Sequence, residues 1–345
     1  MPATIRDVAR EAGVSVATVS RVINESGPVK AETRRRIREV AQRLRFTPNT
    51  TARNLSTRRT HTIGVLLPDI YGEFFSEIMR GIDLTARQHK NHIIVSSSHS
   101  DANEVEAAVR AMRGRVDGLI LMASELETTS FANSLSERTP VVLINAAAKD
   151  PQFDTLNIDN YGGAYAMTRH LVQLGHREIR MIRGSQRNQD ASERARGFRA
   201  ALADAGLPCV DAVILPGDFT EASGYAATRQ LLAASQRPTA IFAANDSMAV
   251  GVLSALRDAG LRVPEDVAVA GFDDIPIAEY VSPSLSTVRV SMATLGARAA
   301  ERLFATIHAH GKTERKHEVL PTELIIRRSC GTSPISTIPK EAVHE

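Results

Sequence analysis

Apolar positions in the first 45 residues recur three and four apart in three short blocks. Ile5, Val8, Ala9 and Ala12 share one helical face, and Thr4 and Asp7 ahead of them have the spacing of a capping box. Gly13 suits a tight turn. Ser15 is a good N-cap for a second block, in which Val16, Val19, Val22 and Ile23 fall at helical spacing until Asn24 and Gly27-Pro28 stop it. A third block, about 31–44, turns Ile37, Val40, Ala41 and Leu44 inward behind a poor cap, Lys30. Helix, glycine turn and second helix is the arrangement that presents the start of the second helix to the DNA major groove. A three-helix bundle that contacts protein fits the same periodicity.

From His61 onward the pattern changes to apolar runs alternating with amphipathic stretches. Strands are expected at 62–67, 92–97, 118–122, 141–145, 179–183, 240–243 and 267–271, with helices near 73–90, 103–114, 161–175, 190–206, 221–234 and 246–260 between them. Such alternation implies parallel sheets with right-handed crossovers. More than six units imply two lobes, and ligands of α/β sheets lie off the carboxyl ends of strands, so a cleft between the lobes is the expected binding site. Between head and body, 47–56 begins with a helix-compatible Pro48 but is too short to hold a helix alone in water.

Charge sharpens the division. The net charge is only +3, yet residues 1–60 hold 13 Lys and Arg against 5 Asp and Glu, while the rest hold 29 against 34. A basic head on a mildly acidic body is the electrostatic footprint of a nucleic-acid reader. Hydrophobic residues make up 43% of the 345, with no unbroken run near the roughly 18 that a membrane span needs. The N-terminus lacks the features of a secretory signal, and Cys209 and Cys330 are too few for a disulfide framework, so a reducing cytoplasm is expected.

The run Ala9-x-x-Ala12-Gly13-Val14-Ser15-x-x-Thr18-Val19-Ser20-Arg21-Val22-Ile23-Asn24 closely resembles the DNA-binding head of the lactose/galactose repressor (LacI/GalR) family. The body resembles that family's effector domain, similar in turn to periplasmic sugar-binding proteins, over about 60–330. Its landmarks include Ile158-Asp159-Asn160, Arg194-x-x-Gly197-Phe198, Asn245-Asp246-x-Met248-Ala249 and Gly271-Phe272-Asp273-Asp274. The resemblance implies an all-α helix-turn-helix head over 1–46, a hinge over 47–60, a two-lobed periplasmic-binding-protein-like α/β body over 61–330 and a tail over 331–345. Lobe N would take about 61–160 plus 290–320, and lobe C about 161–289 plus 321–330.

By the same resemblance Val16, Ala17 and Arg21 occupy base-reading positions, with Thr4, Ser15, Thr18, Ser20 and Asn24 beside them toward the DNA. Arg21 can form a bidentate pair with guanine, whereas Val16 and Ala17 offer shape and thymine-methyl contacts. Leu55 would be the apolar wedge of a hinge helix in the minor groove, and Ala52 would let two such helices approach. An ordinary linker is the alternative. The partners implied are pseudo-palindromic operator DNA, a second copy of the chain and a small-molecule effector, with no cofactor. No leucine heptads follow Arg328, so a dimer is expected.

In the cleft, Arg194 and Asp273 match the family positions that bond effector, and Asn245 is a second polar contact. Phe74, Phe75 and Phe219 can stack on a flat ligand, although core positions suit Phe75 and Phe198. Asp159 and Asp246 read equally as caps or ligands, and Asn145, Asn188 and Asp190 are further candidates. Gly72-Glu73 stands where many members have Asn-Pro. An amide and a carboxylate at Asn188 and Asp190 suit a polyhydroxylated sugar better than a purine, and a purine- or nucleoside-responsive repressor is the alternative.

Catalytic patterns fail on inspection. Gly311-Lys312-Thr313 ends like a phosphate loop, but Thr306 takes the place of the first glycine. His308-x-His310 has no neighbouring ligand set, and Cys209 beside Pro208 has no histidine at hand. A sugar receptor would need a leader and no basic head, and an enzyme on the same scaffold would need a triad assembled in space.

Overall fold

The computed structural model describes residues 3–23, 27–46, 59–122, 124, 139–146, 152–209, 213–309 and 314–331. Asn24, Ala52 and Leu55 lie outside these residues, as do Lys312 and His310. The chain forms two compact units, Met1–Thr60 and His61–Glu345.

The first unit holds α1 (Ile5–Glu11), α2 (Val16–Ile23) and α3 (Ala31–Arg43). Thr4 and Asp7 close the capping box reciprocally: the Thr4 hydroxyl accepts the Asp7 N–H at 3.4 Å, and the Asp7 carboxylate accepts the Thr4 N–H at 3.0 Å. Gly13 turns the chain at φ 63°, and Ser15 Oγ accepts the Thr18 N–H at 3.2 Å to start α2. Val8, Ala9, Ala12, Val19, Val22, Ile37, Val40 and Ala41 form the core, and an Arg43–Glu11 ion pair at 2.5 Å ties α3 to α1. Val16, which the periodicity groups with the inward positions, is 42% exposed, because it sits in the first turn of α2 beyond the reach of α1 and α3.

The second unit is two parallel α/β sheets. In chain order its elements are β1 (Thr62–Leu67), α4 (Glu73–Gln88), β2 (His92–Ser97), α5 (Ala102–Met112), β3 (Leu119–Met122), β4 (Val141–Ile144), β5 (Asp154–Ile158) and α6 (Asn160–Gln173). Then follow β6 (Ile179–Ile182), α7 (Gln189–Asp204), β7 (Ile214–Leu215), α8 (Glu221–Ala233), β8 (Ala240–Ala243), α9 (Asp246–Asp258) and β9 (Ala268–Ala270). The last are α10 (Ile277–Tyr280), β10 (Thr287–Arg289), α11 (Met292–His308), β11 (His317–Leu320) and β12 (Glu323–Ile325).

One sheet runs β11-β5-β4-β3-β1-β2 and the other β7-β6-β8-β9, with β10 and β12 pairing antiparallel beside them. The chain passes between the sheets at 158–160, 289–292 and 320–323. Central strands are buried on both faces, as helices on each side of a parallel sheet require, whereas the edge strand β2 is largely exposed.

Helices α4 and α11 cross so closely that a Cβ on Gly296 would collide with the Ile78 carbonyl oxygen, and one on Gly81 with that of Ala293. This contact seats α4, whose first turn borders the cavity described below. Gly296→Ala is expected to destabilise the fold by about 1–3 kcal/mol through overpacking, read as a lower thermal midpoint by circular dichroism.

Candidate functional site

Two surfaces carry candidate chemistry. On the first unit, Val16, Ala17 and Arg21 are exposed on α2 and Ser15 is exposed just ahead of it, and Thr18 and Ser20 are half-buried beside them. Ala17 and Arg21 lie four residues apart, one turn of helix, so they share a face. The Ser15 and Thr18 hydroxyls bond each other at 2.9 Å and brace the start of the helix. Thr4 is exposed at the start of α1 with its hydroxyl bonded to Asp7.

The second surface is a cavity of about 480 Å³ where the carboxyl ends of both sheets meet. Pro68 and Asp69 follow β1, Ser124 follows β3, Asn188 follows β6, Phe219 follows β7, Asn245 follows β8 and Asp273 follows β9, so backbone topology alone delivers these side chains to one place.

Arg194 forms the floor. It is 3% exposed, and its Nε donates to Asn160 Oδ1 at 2.8 Å while Nη1 donates to the Ala244 carbonyl at 2.5 Å. Its Nη2 approaches Asp273 Oδ1 at 3.1 Å without the alignment of a hydrogen bond, leaving that buried oxygen without a donor. The guanidinium carbon stacks 3.7 Å from the Phe272 ring centre. Asp190, one turn earlier on α7, accepts from Asn160 Nδ2 at 2.8 Å and from Asn145 Nδ2 at 2.7 Å.

Burial pushes the Asp190 and Asp273 carboxyls up to about 6, against the pull of Arg194, which lowers both. Asp246 beneath them lies well above the usual carboxylate range because it is enclosed and faces Asp273.

Aromatic groups wall the cavity. Phe74 and Phe75 meet edge to face at 5.4 Å and both line it, and Phe75, half-buried in the first turn of α4, packs against the core as well. Phe198 is fully buried. Phe219 adopts φ 73°, and its ring fits because Gly184 has no side chain there; a Cβ would strike it. Asn145 at φ 50° and Asp273 at φ 111° share this rare backbone region, which clusters at sites held under strain.

Other candidates take different places. Asn145 is not among the lining residues; its turn after β4 aims its amide at Asp190 instead. Asn188 and Asn245 line the cavity and also cap α7 and α9, accepting the Ala191 N–H at 3.0 Å and the Met248 N–H at 2.9 Å. The Asn245 amide further donates to the Phe219 carbonyl at 3.0 Å. Asp159 caps α6, whereas Asp246 is neither cap nor lining residue and holds Ile275 N–H and Thr287 Oγ1. Glu73 accepts the Ile277 N–H at 3.1 Å, joining the two sides of the opening.

Sequence reading missed Ser124, Tyr71 and Asp218 on the wall, and it gave no role to Asn160 or Phe272, although both lie inside quoted landmarks. Among the described residues no cluster has the make-up of a metal site, and no helix is long and apolar enough to cross a membrane.

Comparison with known proteins joins the two surfaces. Residues 4–49 match the model for bacterial regulatory proteins of the lacI family, and 168–330 match the periplasmic binding protein-like domain. Catabolite control protein A of Priestia megaterium is 37% identical over 305 residues, 88% of this chain and 92% of that one. The HTH-type transcriptional repressor PurR of Erwinia tasmaniensis is 36% identical over 96% of this chain and 98% of its own. Among solved structures, the lac repressor dimer bound to operator and the anti-inducer ONPF superposes with TM-score 0.86 at 28% identity, covering 96% of this chain and 99% of that one. The complex of the transcriptional regulator CelR with cellobiose does so with TM-score 0.72 at 33% identity over 95% and 99%. Since these likenesses run through head and body alike, the chain belongs to the lacI family of bacterial regulatory proteins and is a DNA-binding transcriptional regulator.

Proposed function

We propose that this regulator is a cytoplasmic repressor of carbohydrate-utilisation genes, without catalytic activity, that binds a pseudo-palindromic operator as a homodimer and takes a sugar in the cavity of its body. Val16, Ala17 and Arg21 read bases, Ala52 and Leu55 of the hinge engage the minor groove, and effector binding changes the relation of the two lobes and so the affinity for DNA. Its organisation follows the head, hinge, two-lobed body and tail set out from the sequence.

The observation that carries the sugar reading is the wall itself. Carboxylate oxygens at Asp190 and Asp273 lie within an aromatic enclosure of Phe74, Phe75 and Phe219, so hydroxyl donors and apolar ring faces are answered together. The cellobiose held by CelR supports the same class, and the PurR likeness keeps purines as the rival.

A thermal-shift panel of mono- and disaccharides, sugar phosphates, nucleosides and purines tests this. A sugar at a hundredfold excess over its Kd should stabilise the protein by about 2.7 kcal/mol, and the effect should vanish on Asp273→Ala. Stabilisation by purines or nucleosides alone would replace the sugar reading with the rival.

A further inference from the structure

We propose that the cavity selects its ligand by charge: it accepts uncharged or amine-bearing hydrogen-bond donors and rejects anions such as sugar phosphates and uronates. This rests on the reading of the cavity as the effector site and narrows the class of ligand it takes.

The first observation is the balance of charge. Asp69, Glu73, Asp190, Asp218, Glu221 and Asp273 line the cavity, and among its described lining residues Arg194 is the one cation. That cation is already committed. Asn160 and the Ala244 carbonyl accept hydrogen bonds from two of its nitrogens, Asp273 pairs with the third by charge, and Phe272 covers its face. Two carboxylates, Asp190 and Asp273, act on one guanidinium, so an arriving phosphate meets a net negative floor whose single cation is already paired.

The second observation concerns helix ends. The first turns of α4, α7, α8 and α9 all border the cavity, and helix N-termini ordinarily attract anions. Here each is answered from within. Glu73, Asp190, Glu221 and Asp246 place a carboxylate in the first turn of each, and Asn188, Thr220 and Asn245 cap three of them through side-chain oxygens. The dipoles that would hold a phosphate are spent on the protein.

The third is independent of charge counting. Asp273 Oδ1 lies on the cavity wall, its residue 4% exposed, and no hydrogen bond reaches it in good alignment. A buried acceptor without a donor calls for a donor from the ligand. Hydroxyl and ammonium groups supply one, whereas a phosphate or carboxylate oxygen does not.

The experiment is calorimetric titration of the full chain with matched sets. Each set is a sugar from the panel, its 6-phosphate, its uronate and its 2-amino form; a purine nucleoside with its 5′-monophosphate forms a parallel set. The expected result is that the anionic members bind roughly a hundredfold more weakly than the parent, while the amine binds at least as tightly. The gap between parent and phosphate should narrow in Asp190→Asn and Glu221→Gln, measured separately. A phosphate or uronate that binds as tightly as its parent overturns the proposal, as does a cavity that binds no member of any set. Binding of the nucleoside but not its monophosphate, with no sugar bound, would overturn the sugar reading and leave the charge rule standing.

Discussion

Arg194→Ala is expected to cost about 3–5 kcal/mol of stability, the range for removing one partner of a buried ion pair. The loss has several parts. Asp190 and Asp273 would face each other without a countercharge, Asn160 Oδ1 and the Ala244 carbonyl would lose their donors, and Phe272 would lose the cation on its face. Lysine at 194 should recover only part of this, because one ammonium cannot span the three directions that the planar guanidinium serves.

The deficit should also depend on pH with a definite sign. Both carboxyls are raised to about 6 in the folded protein, above their ordinary 3.8. Groups of this kind weaken the fold as pH rises from about 4 to about 6, where the unfolded chain ionises first. Without Arg194 the two carboxyls shift further up. The variant's deficit is therefore largest at pH 8 and shrinks toward pH 5, where protonation removes the uncompensated charge. Urea denaturation of both proteins at the two pH values measures it. Equal midpoints at pH 8 would show that Arg194 does not hold the floor together.

DNA binding should weaken steeply with salt. With 13 Lys and Arg in the first 60 residues of each chain, a dimer neutralising roughly 6–10 phosphates loses about 10³- to 10⁵-fold in affinity between 50 and 200 mM salt. Arg21→Ala separates two kinds of contact. As a base reader, Arg21 should contribute about 1–3 kcal/mol of discrimination at one base pair while leaving the salt slope unchanged. Arg36→Ala, on the exposed face of α3, should lower the slope by about one if that residue meets phosphate, without altering base preference. Fluorescence anisotropy on a duplex recovered by selection, at four salt concentrations, reads both. A flat slope would contradict a DNA-reading head.

Seven strands of the body were legible from their short apolar runs, six of them mostly buried on both faces and the seventh, β2, an exposed edge that keeps the apolar run Ile93-Ile94-Val95. The missed ones fail for physical reasons. Strand β5 reads Asp-Thr-Leu-Asn-Ile and so has no apolar run, yet Asp154 at its start is fully buried, since Arg302 pairs with it at 2.6 Å and the Lys316 N–H donates to it at 2.8 Å. A partner 148 residues away leaves no mark on local periodicity. Helix α11 shows in the sequence only as a helix ahead of Gly311, without bounds, because its packed face is partly glycine and alanine, Gly296, Ala299 and Ala300, which serve close approach to α4.

At the cavity, strand ends mark the right loops but not the direction of each side chain. Asn145 and Asp273 both follow strands and both have positive φ, yet Asp273 lines the cavity and Asn145 stands behind Asp190. The Glu73 contact with Ile277 joins residues 204 apart, beyond the reach of any spacing rule.

The link between cavity and DNA is tested most directly by measuring operator affinity with the cavity full and empty. The full chain is titrated onto the selected duplex by anisotropy, with and without a saturating amount of the sugar found in the thermal-shift panel. A ligand-controlled regulator should show a change in Kd of about 5- to 150-fold. Identical affinities while calorimetry shows the cavity saturated would contradict control of DNA binding from this site.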